Sequence, residues 1–218
     1  MNKIEDKEIV YFSTKIKSYG KSNFIDYPWR RTNNIWHAIV AEIMLQRTKA
    51  DQVVPVYNDF VERFSTPVDY QMHVSQTDEN IFKNLGLIWR NETFKKTVDY
   101  IVVNGLPENK EGFLKVPGVG DYVASAVLSF HLGKREVLID SNIVRLIGRF
   151  FGFKFDNETR RKKWFIEIVE RITPKLEVRN FNYGILDFSM QICSQKPNCK
   201  ICIMQKKCKF FDNEFKDK

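Results

Sequence analysis

The sequence predicts an all-α fold built from many short helices, and three observations lead there. Apolar residues recur at spacings of three and four along most of the chain. Strand-like alternation is nearly absent. The periodic stretches stop at Gly or Pro, the usual helix punctuation.

The elements follow in order. Ile9, Val10, Phe12 and Ile16 form a first amphipathic face, expected to end near Tyr19-Gly20. Asp26-Tyr27-Pro28-Trp29 reads as a loop. Trp36, Ile39, Val40 and Ile43 give one apolar helix face. Val53 to Phe64 continues as a helix that stops before Pro67. Segments 78–86 and 92–103 are expected to be helical. Leu106 to Lys110 is a loop around Pro107, and Phe113 to Val116 is a short helix stopped by Pro117-Gly118. Val123, Ala126, Val127 and Phe130 form the next face. Asp140 and Ser141, both good N-cap types, precede the face of Ile143, Leu146, Ile147 and Phe150. Phe165, Ile168, Val169 and Ile172 form another, closed by Pro174. Arg135 to Ile139 is extended and short.

Composition narrows the class. The chain has 218 residues, 43% of them hydrophobic and 14% aromatic, too apolar for a disordered segment. No run of about 20 apolar residues spans a membrane, and Met1 to Val10 mixes Lys, Glu and Asp, unlike a signal peptide. The net charge of +8 suits a polyanionic partner such as nucleic acid, though basic proteins need not have one. All four cysteines fall between Cys193 and Cys208. A disulfide framework spreads its cysteines, because a bridge gains most by closing a long loop. The expectation is therefore an intracellular, cytoplasmic protein with no membrane contact.

The most informative local motif is Val116-Pro117-Gly118-Val119-Gly120 between two helices. Gly118 and Gly120 permit backbone conformations that a Cβ disfavours. Val119 can pack inward while its neighbours' amides face out. A helix starting after Gly120 offers unpaired N–H groups and a positive dipole end to a phosphate. An ordinary tight helix–helix turn is the competing reading. Asp140 follows 20 residues after Gly120 at a helix start, where a carboxylate on its own reads as a cap.

Val116-Pro117-Gly118-Val119-Gly120, then Ile139-Asp140-Ser141-Asn142 with Arg145, resemble the helix-hairpin-helix DNA glycosylase superfamily. The terminal cysteines resemble the iron–sulfur loop of its endonuclease III and A/G-specific adenine glycosylase branches. Tyr27-Pro28-Trp29-Arg30 and Glu42-Ile43-Met44-Leu45-Gln46-Arg47-Thr48 resemble the front motifs of the mismatch-specific branches. The resemblance runs from about Pro28 to Cys208, in order. It implies two domains. Residues 27–135 would form a six-helix barrel containing the hairpin. Residues 1–26 and 136–218 would form the second domain, with the cluster loop at 193–208. Double-stranded DNA with a mismatched base would lie across the cleft between them, its target base flipped out, and the enzyme would act as a monomer. Val116, Gly118, Val119 and Gly120 would grip the DNA backbone.

The cysteine spacing, with gaps of five, two and five residues, suits either zinc or a [4Fe–4S] cluster. Resemblance favours the cluster, although the first gap is one residue shorter than the family's and contains Pro197. Lys196, Lys200, Lys206, Lys207 and Lys209 would give this loop a positive face toward DNA. Lys216 and Lys218 read as a solvated polar tail.

The resemblance also assigns the chemistry. Asp140 matches the carboxylate that stabilises the positive charge building on the sugar. Endonuclease III places its Schiff-base lysine two residues after the second hairpin glycine. Tyr122 stands there, so the enzyme would be monofunctional. Glu42 sits on an otherwise apolar helix face, where a buried carboxylate is costly unless used. In adenine glycosylases the matching glutamate protonates the purine. The competing reading is an exposed Glu42 paired with Arg47 or Lys49. Arg47, in Leu45-Gln46-Arg47-Thr48, resembles the wedge of archaeal-type thymine glycosylases that act on T·G, with Gln46 as a second contact to the widowed guanine.

The run Gly86-Leu87-Ile88-Trp89-Arg90 lacks the Tyr-Tyr pair of adenine glycosylases. The sequence ends ten residues after Cys208, without their 8-oxoguanine-reading domain. The expected function is removal of thymine, and uracil, opposite guanine in base excision repair. The alternatives are an adenine glycosylase lacking that domain and a non-catalytic DNA-binding module.

Overall fold

The structure is a computed structural model that describes residues 4–77, 79–86 and 88–215. Leu87, Lys216, Lys218 and the first residue of the expected 78–86 helix lie outside the described residues. Among the described residues there is no strand, and no helix is long and apolar enough to cross a membrane. The chain divides into two compact units, one of residues 26–134 and one of residues 1–25 with 135–218.

In the 26–134 unit, α2 (Ile35–Leu45) opens where the Asn34 side chain accepts from the backbone N–H groups of Trp36 and His37. Its residues from Trp36 to Met44 are buried on all sides except His37, so it is the unit's central helix. α3 (Ala50–Arg63) follows. Thr66 then starts α4 (Pro67–Val74), with Asp69 returning a bond to the Thr66 backbone N–H at 2.8 Å and Pro67 in the first turn. α5 (Arg90–Asn104), α6 (Lys110–Lys115) and α7 (Asp121–His131) complete the unit. Phe60 from α3, Tyr70 from α4 and Phe94 from α5 meet with centroids 5.1–6.0 Å apart. Aromatic rings at that separation join three helices through large buried surfaces.

The other unit pairs the two ends of the chain. α1 (Asp6–Ser22) lies along α10 (Val178–Gln191). Both also border α8 (Ser141–Phe151) or α9 (Lys163–Ile172). Phe12 packs edge-on against Phe150 at 5.1 Å, and the Tyr19 hydroxyl donates to Gln191 at 2.9 Å. α11 (Lys209–Phe215) closes the unit against α8.

Three expectations are corrected. α1 does not stop at Gly20. A Cβ there would meet the Asn180 carbonyl oxygen at 2.0 Å and the Gly184 Cα at 2.9 Å, so Gly20 serves close helix approach instead. Val10 is 63% exposed and belongs to the solvent face of α1. The 78–86 segment forms no α-helix among its described residues. It has only a 3₁₀ turn at Lys83–Leu85, ended by Gly86 in the left-handed region. Directly after the cysteine loop α11 begins at Lys209, and its Phe210 packs under the Arg149 guanidinium at 4.8 Å. Arg135 to Ile139 runs without helix and pairs with no strand. Its Arg135 guanidinium donates to the Glu170 and Thr173 carbonyls at the end of α9.

Candidate glycosylase residues and cysteine centre

Glu42, Gln46, Arg47, the hairpin and Tyr122 belong to the 26–134 unit. Asp140 and the four cysteines belong to the other.

The helical period turns Glu42 into the core of its unit, where it is 7% exposed. Burial raises its carboxyl from the ordinary 4.5 to about 7, and the nearby Arg30 guanidinium opposes part of that rise. At neutral pH Glu42 is poised between acid and base. The competing reading, an exposed Glu42 paired with Arg47 or Lys49, is therefore not realised. Arg30 is itself 6% exposed, and its guanidinium lies 5.3 Å over the Tyr27 ring. The Tyr27–Arg30 motif was visible in the sequence. The influence of the Arg30 charge on Glu42 was not, because only tertiary packing brings the two near each other.

α2 ends at Leu45, and the chain turns through Gln46 and Arg47. Arg47 is exposed, and its backbone sits at φ 63°, a left-handed conformation costly for a residue with a Cβ. Beneath this turn, Arg90 donates to the Ile43 carbonyl at 2.6 Å, a cation set against the C-terminus of α2. Burial lowers the Arg90 pKa, and the Arg47 charge lowers it further. Gln46, Trp89, Arg90, Thr93 and Gly118 border one recess, so the α2 turn and the hairpin meet there. Trp89 is 62% exposed at its rim.

In the hairpin, Val116 and Val119 are buried and Gly118 and Gly120 are exposed. Gly118 has φ 79°, and a Cβ would strike the Thr93 methyl at 2.9 Å. The Thr97 hydroxyl lies 2.5 Å from the Pro117 carbonyl and ties the turn to α5. Gly120 corrects the expectation for the pair, because its φ of −93° and ψ of 179° are open to any residue. With no side chain there to cap α7, what Gly120 contributes is an uncovered helix start. Tyr122, half-buried, lies in the first turn of α7.

Asp140 is the N-cap of α8. Its Oδ1 accepts from the Ile143 N–H at 2.7 Å, and its Oδ2 accepts from the Asn142 amide at 3.0 Å. Both carboxylate oxygens are thus oriented. The Asn142 carbonyl oxygen in turn accepts from Arg145 at 3.0 Å.

Cys193, Cys199, Cys202 and Cys208 all border one small, partly open recess. Leu146, Phe150, Phe188, Ile192 and Met204 supply its apolar wall. All four cysteines are free thiols. Among the described residues, no three His, Cys, Asp or Glu side chains are gathered into a set that holds a metal ion. Burial pushes the Cys202 thiol up to about 11, and burial raises Cys199 and Cys208 too. Four thiols on one apolar cavity fit a multi-atom centre that takes each as a thiolate. Arg149 braces the loop, donating to the Ser194 carbonyl at 2.6 Å and the Gln195 carbonyl at 3.0 Å. Lys196, Lys200, Lys206, Lys207 and Lys209 are all exposed around it.

No family model matches the chain. A thymine/uracil-DNA glycosylase of Methanothermobacter thermautotrophicus is 30% identical over 97% of this chain and 98% of its own length. Another, from Pyrobaculum aerophilum, is 34% identical over 86% of this chain and 85% of its own. An adenine DNA glycosylase of Buchnera aphidicola is 28% identical over 94% of this chain but only 59% of its own length. Among solved structures, a thermostable thymine-DNA glycosylase superposes with a TM-score of 0.85 at 30% identity, covering 95% of this chain and 98% of its own. Endonuclease III in a covalent complex with DNA shares the fold, with a TM-score of 0.78 at 19% identity over 97% of this chain and 99% of its own. Similar in sequence and backbone over nearly its full length to such relatives, the chain belongs to the helix-hairpin-helix DNA glycosylases, the family of the thymine/uracil-DNA glycosylases.

Proposed function

We propose that this chain is a monofunctional DNA glycosylase that removes thymine, and uracil, opposite guanine in double-stranded DNA. The observation that carries the reading is the similarity to thymine/uracil-DNA glycosylases, at 30 and 34% identity over 97 and 86% of this chain. In this reading residues 26–134 are the six-helix barrel, and residues 1–25 with 135–218 are the cluster domain.

Asp140 supplies the negative charge that opposes the positive sugar as the N-glycosidic bond breaks. Its two fixed oxygens need no reorganisation during that step. Glu42, held near neutrality by burial, donates a proton toward a carbonyl oxygen of the departing pyrimidine, directly or through water. Tyr122 lines the approach to the sugar. Arg47 fills the gap left by the flipped base, Gln46 adds an amide contact to the remaining guanine, and Val116, Gly118, Val119 and Gly120 hold a phosphate.

A Schiff-base step needs a neutral amine. Tyr122 stands where endonuclease III carries its lysine, and Lys115, the lysine before the hairpin, is bound to Glu111 at 3.0 Å. That partner raises its pKa and keeps it protonated. Cys193, Cys199, Cys202 and Cys208 would hold a [4Fe–4S] cluster. When bound, the cluster supplies a fixed tie for the loop that displays the five lysines. Zinc is the competing occupant, and the resemblance to the iron–sulfur loop of the endonuclease III and adenine glycosylase branches favours the cluster.

Duplexes carrying T·G, U·G, A·G and A·8-oxoguanine test the reading, with abasic sites revealed by hot alkali. Thymine and uracil release is expected, with no strand scission before alkali. Asp140→Asn should lower the single-turnover rate by about 10³ or more and leave duplex affinity intact. Loss of affinity in that variant would return Asp140 to a capping role alone. Release from no duplex would favour a DNA-binding module.

A further inference from the structure

Residues 109–122 carry four charged side chains, Lys110, Glu111, Lys115 and Asp121, and the structure cancels them in pairs. Lys115 Nζ lies 3.0 Å from Glu111 within α6. Lys110 Nζ lies 3.0 Å from Asp121 Oδ1, an ion pair between the first residue of α6 and the first residue of α7. The hairpin is thus locally neutral in a chain of net charge +8. The first hydrogen bond of α7 runs from the Ala124 N–H to the Gly120 carbonyl at 3.0 Å, so the amides at the helix start belong to residues ahead of Ala124. Asp121 is one of them, and its side chain is 74% exposed. A carboxylate there and a phosphate both favour the positive end of the α7 dipole, and each repels the other.

We infer that the Lys110–Asp121 pair sets how strongly the hairpin holds the DNA backbone. Asp121 opposes the phosphate, and Lys110 cancels most of that opposition. The inference rests on the hairpin as a phosphate grip and adds a charge balance that limits its strength. Holding the two helices together is a poor account of the pair. Phe113, Val116, Val119 and Val123 are buried in one core, so packing already joins α6 to α7. An ion pair this exposed adds little to that. A direct phosphate contact by Lys110 is the other account. The Lys110 ammonium is engaged by Asp121, and its side chain is 33% exposed against 74% for Asp121, so the acid is the more prominent charge of the two. The consequence is a restrained hold on duplexes with no base to remove, both undamaged DNA and the abasic product.

The test uses the full chain, loaded with its iron–sulfur centre, and the variants Asp121→Asn, Lys110→Met, the Lys110→Met/Asp121→Asn pair, Glu111→Gln and Gly120→Asp. Affinity for an undamaged duplex and for a duplex with a reduced abasic site is measured by fluorescence anisotropy across a salt series. Asp121→Asn should tighten both by about three- to tenfold at low salt. Its slope of log affinity against log salt should steepen by up to about 0.9, as the released lysine meets a phosphate. Lys110→Met should weaken both duplexes by about three- to tenfold, and the pair should return to within about twofold of wild type. Glu111→Gln makes the same charge change away from the α7 start and should shift affinity by less than about twofold. Unchanged affinity in Asp121→Asn, an equal shift in Glu111→Gln, or a double variant as weak as Lys110→Met would each overturn the inference. The last result would make Lys110 a direct phosphate contact. Gly120→Asp checks the grip itself. A Cβ at Gly120 meets nothing within 4 Å, so the new side chain can cap α7 and cover its amides. It should weaken both duplexes by about tenfold or more. No loss there would sink the grip and the charge balance with it, whereas a loss there with Asp121→Asn unchanged sinks the charge balance alone. Neither duplex holds a target base, so the result stands apart from which base the enzyme removes.

Discussion

Glu42 shows how much a single burial event decides. The residue is 7% exposed, and the charge that moderates it is Arg30. A carboxyl raised from 4.5 to about 7 holds its proton more tightly in the folded protein than in the unfolded chain. Folding stability is therefore lost as pH rises from about 4.5. The whole cost, roughly 3 kcal/mol, is felt above about pH 7. Glu42→Gln removes that cost, and its melting temperature should vary less than the wild type's between about pH 5 and about pH 8. In excision, a required acid makes the wild-type rate fall as pH rises through about 7, and Glu42→Gln should flatten that limb. A fall of unchanged position in the variant would assign the titration to another group. The sequence made the Glu42 environment legible through its apolar neighbours on α2. It did not reveal Arg30 as the moderating charge, since that pairing exists only once the helices pack.

At the scale of elements, the helices read most easily where periodicity and end signals agree. α8 begins at an Asp-Ser pair that can cap it, and its buried residues Ile143, Leu146, Ile147 and Phe150 repeat at helical spacing. α10 announces itself poorly. Asn180, Asn182, Gly184, Asp187 and Ser189 are weak helix formers, and only burial against α1 overrides their propensity. α4 was equally silent, because its start depends on the Thr66–Asp69 exchange rather than on an apolar stripe. The same context dependence explains Gly20. Read alone, it ends a helix; read with Gly184, it lets α1 and α10 touch backbone to backbone. A Cβ on Gly184 would meet the Ile16 carbonyl oxygen at 2.5 Å. Gly184→Ala should therefore destabilise the protein by about 2 kcal/mol or more, even though alanine is the better helix former. Urea denaturation checks the sign. A neutral or stabilising result would mean that the two helices can separate at little cost.

For the molecule as a whole, the net charge of +8 gains meaning from where the lysines lie. Lys196, Lys200, Lys206, Lys207 and Lys209 are all exposed in and beside the cysteine loop, although Lys207 also rests 4.5 Å over the Tyr11 ring. Each phosphate contact adds about 0.9 to the slope of log affinity against log salt. Replacing these five lysines by glutamine should flatten that slope by roughly 3 to 4, while the excision rate at saturating enzyme stays within a few-fold. An unchanged slope would place the DNA-facing charge elsewhere. The fold class and the ordered motifs were legible because each is local in sequence. The Arg149 bonds to the Ser194 and Gln195 carbonyls were not, because they join residues 45 and 46 positions apart that no pattern pairs. The central claim is specificity for a pyrimidine opposite guanine. Its most direct test is a single tube holding equal amounts of T·G and A·G duplexes with distinguishable labels, sampled before either is exhausted. The account predicts that T·G is cleaved first after alkali and that A·G survives. Preferential loss of the A·G duplex would contradict it.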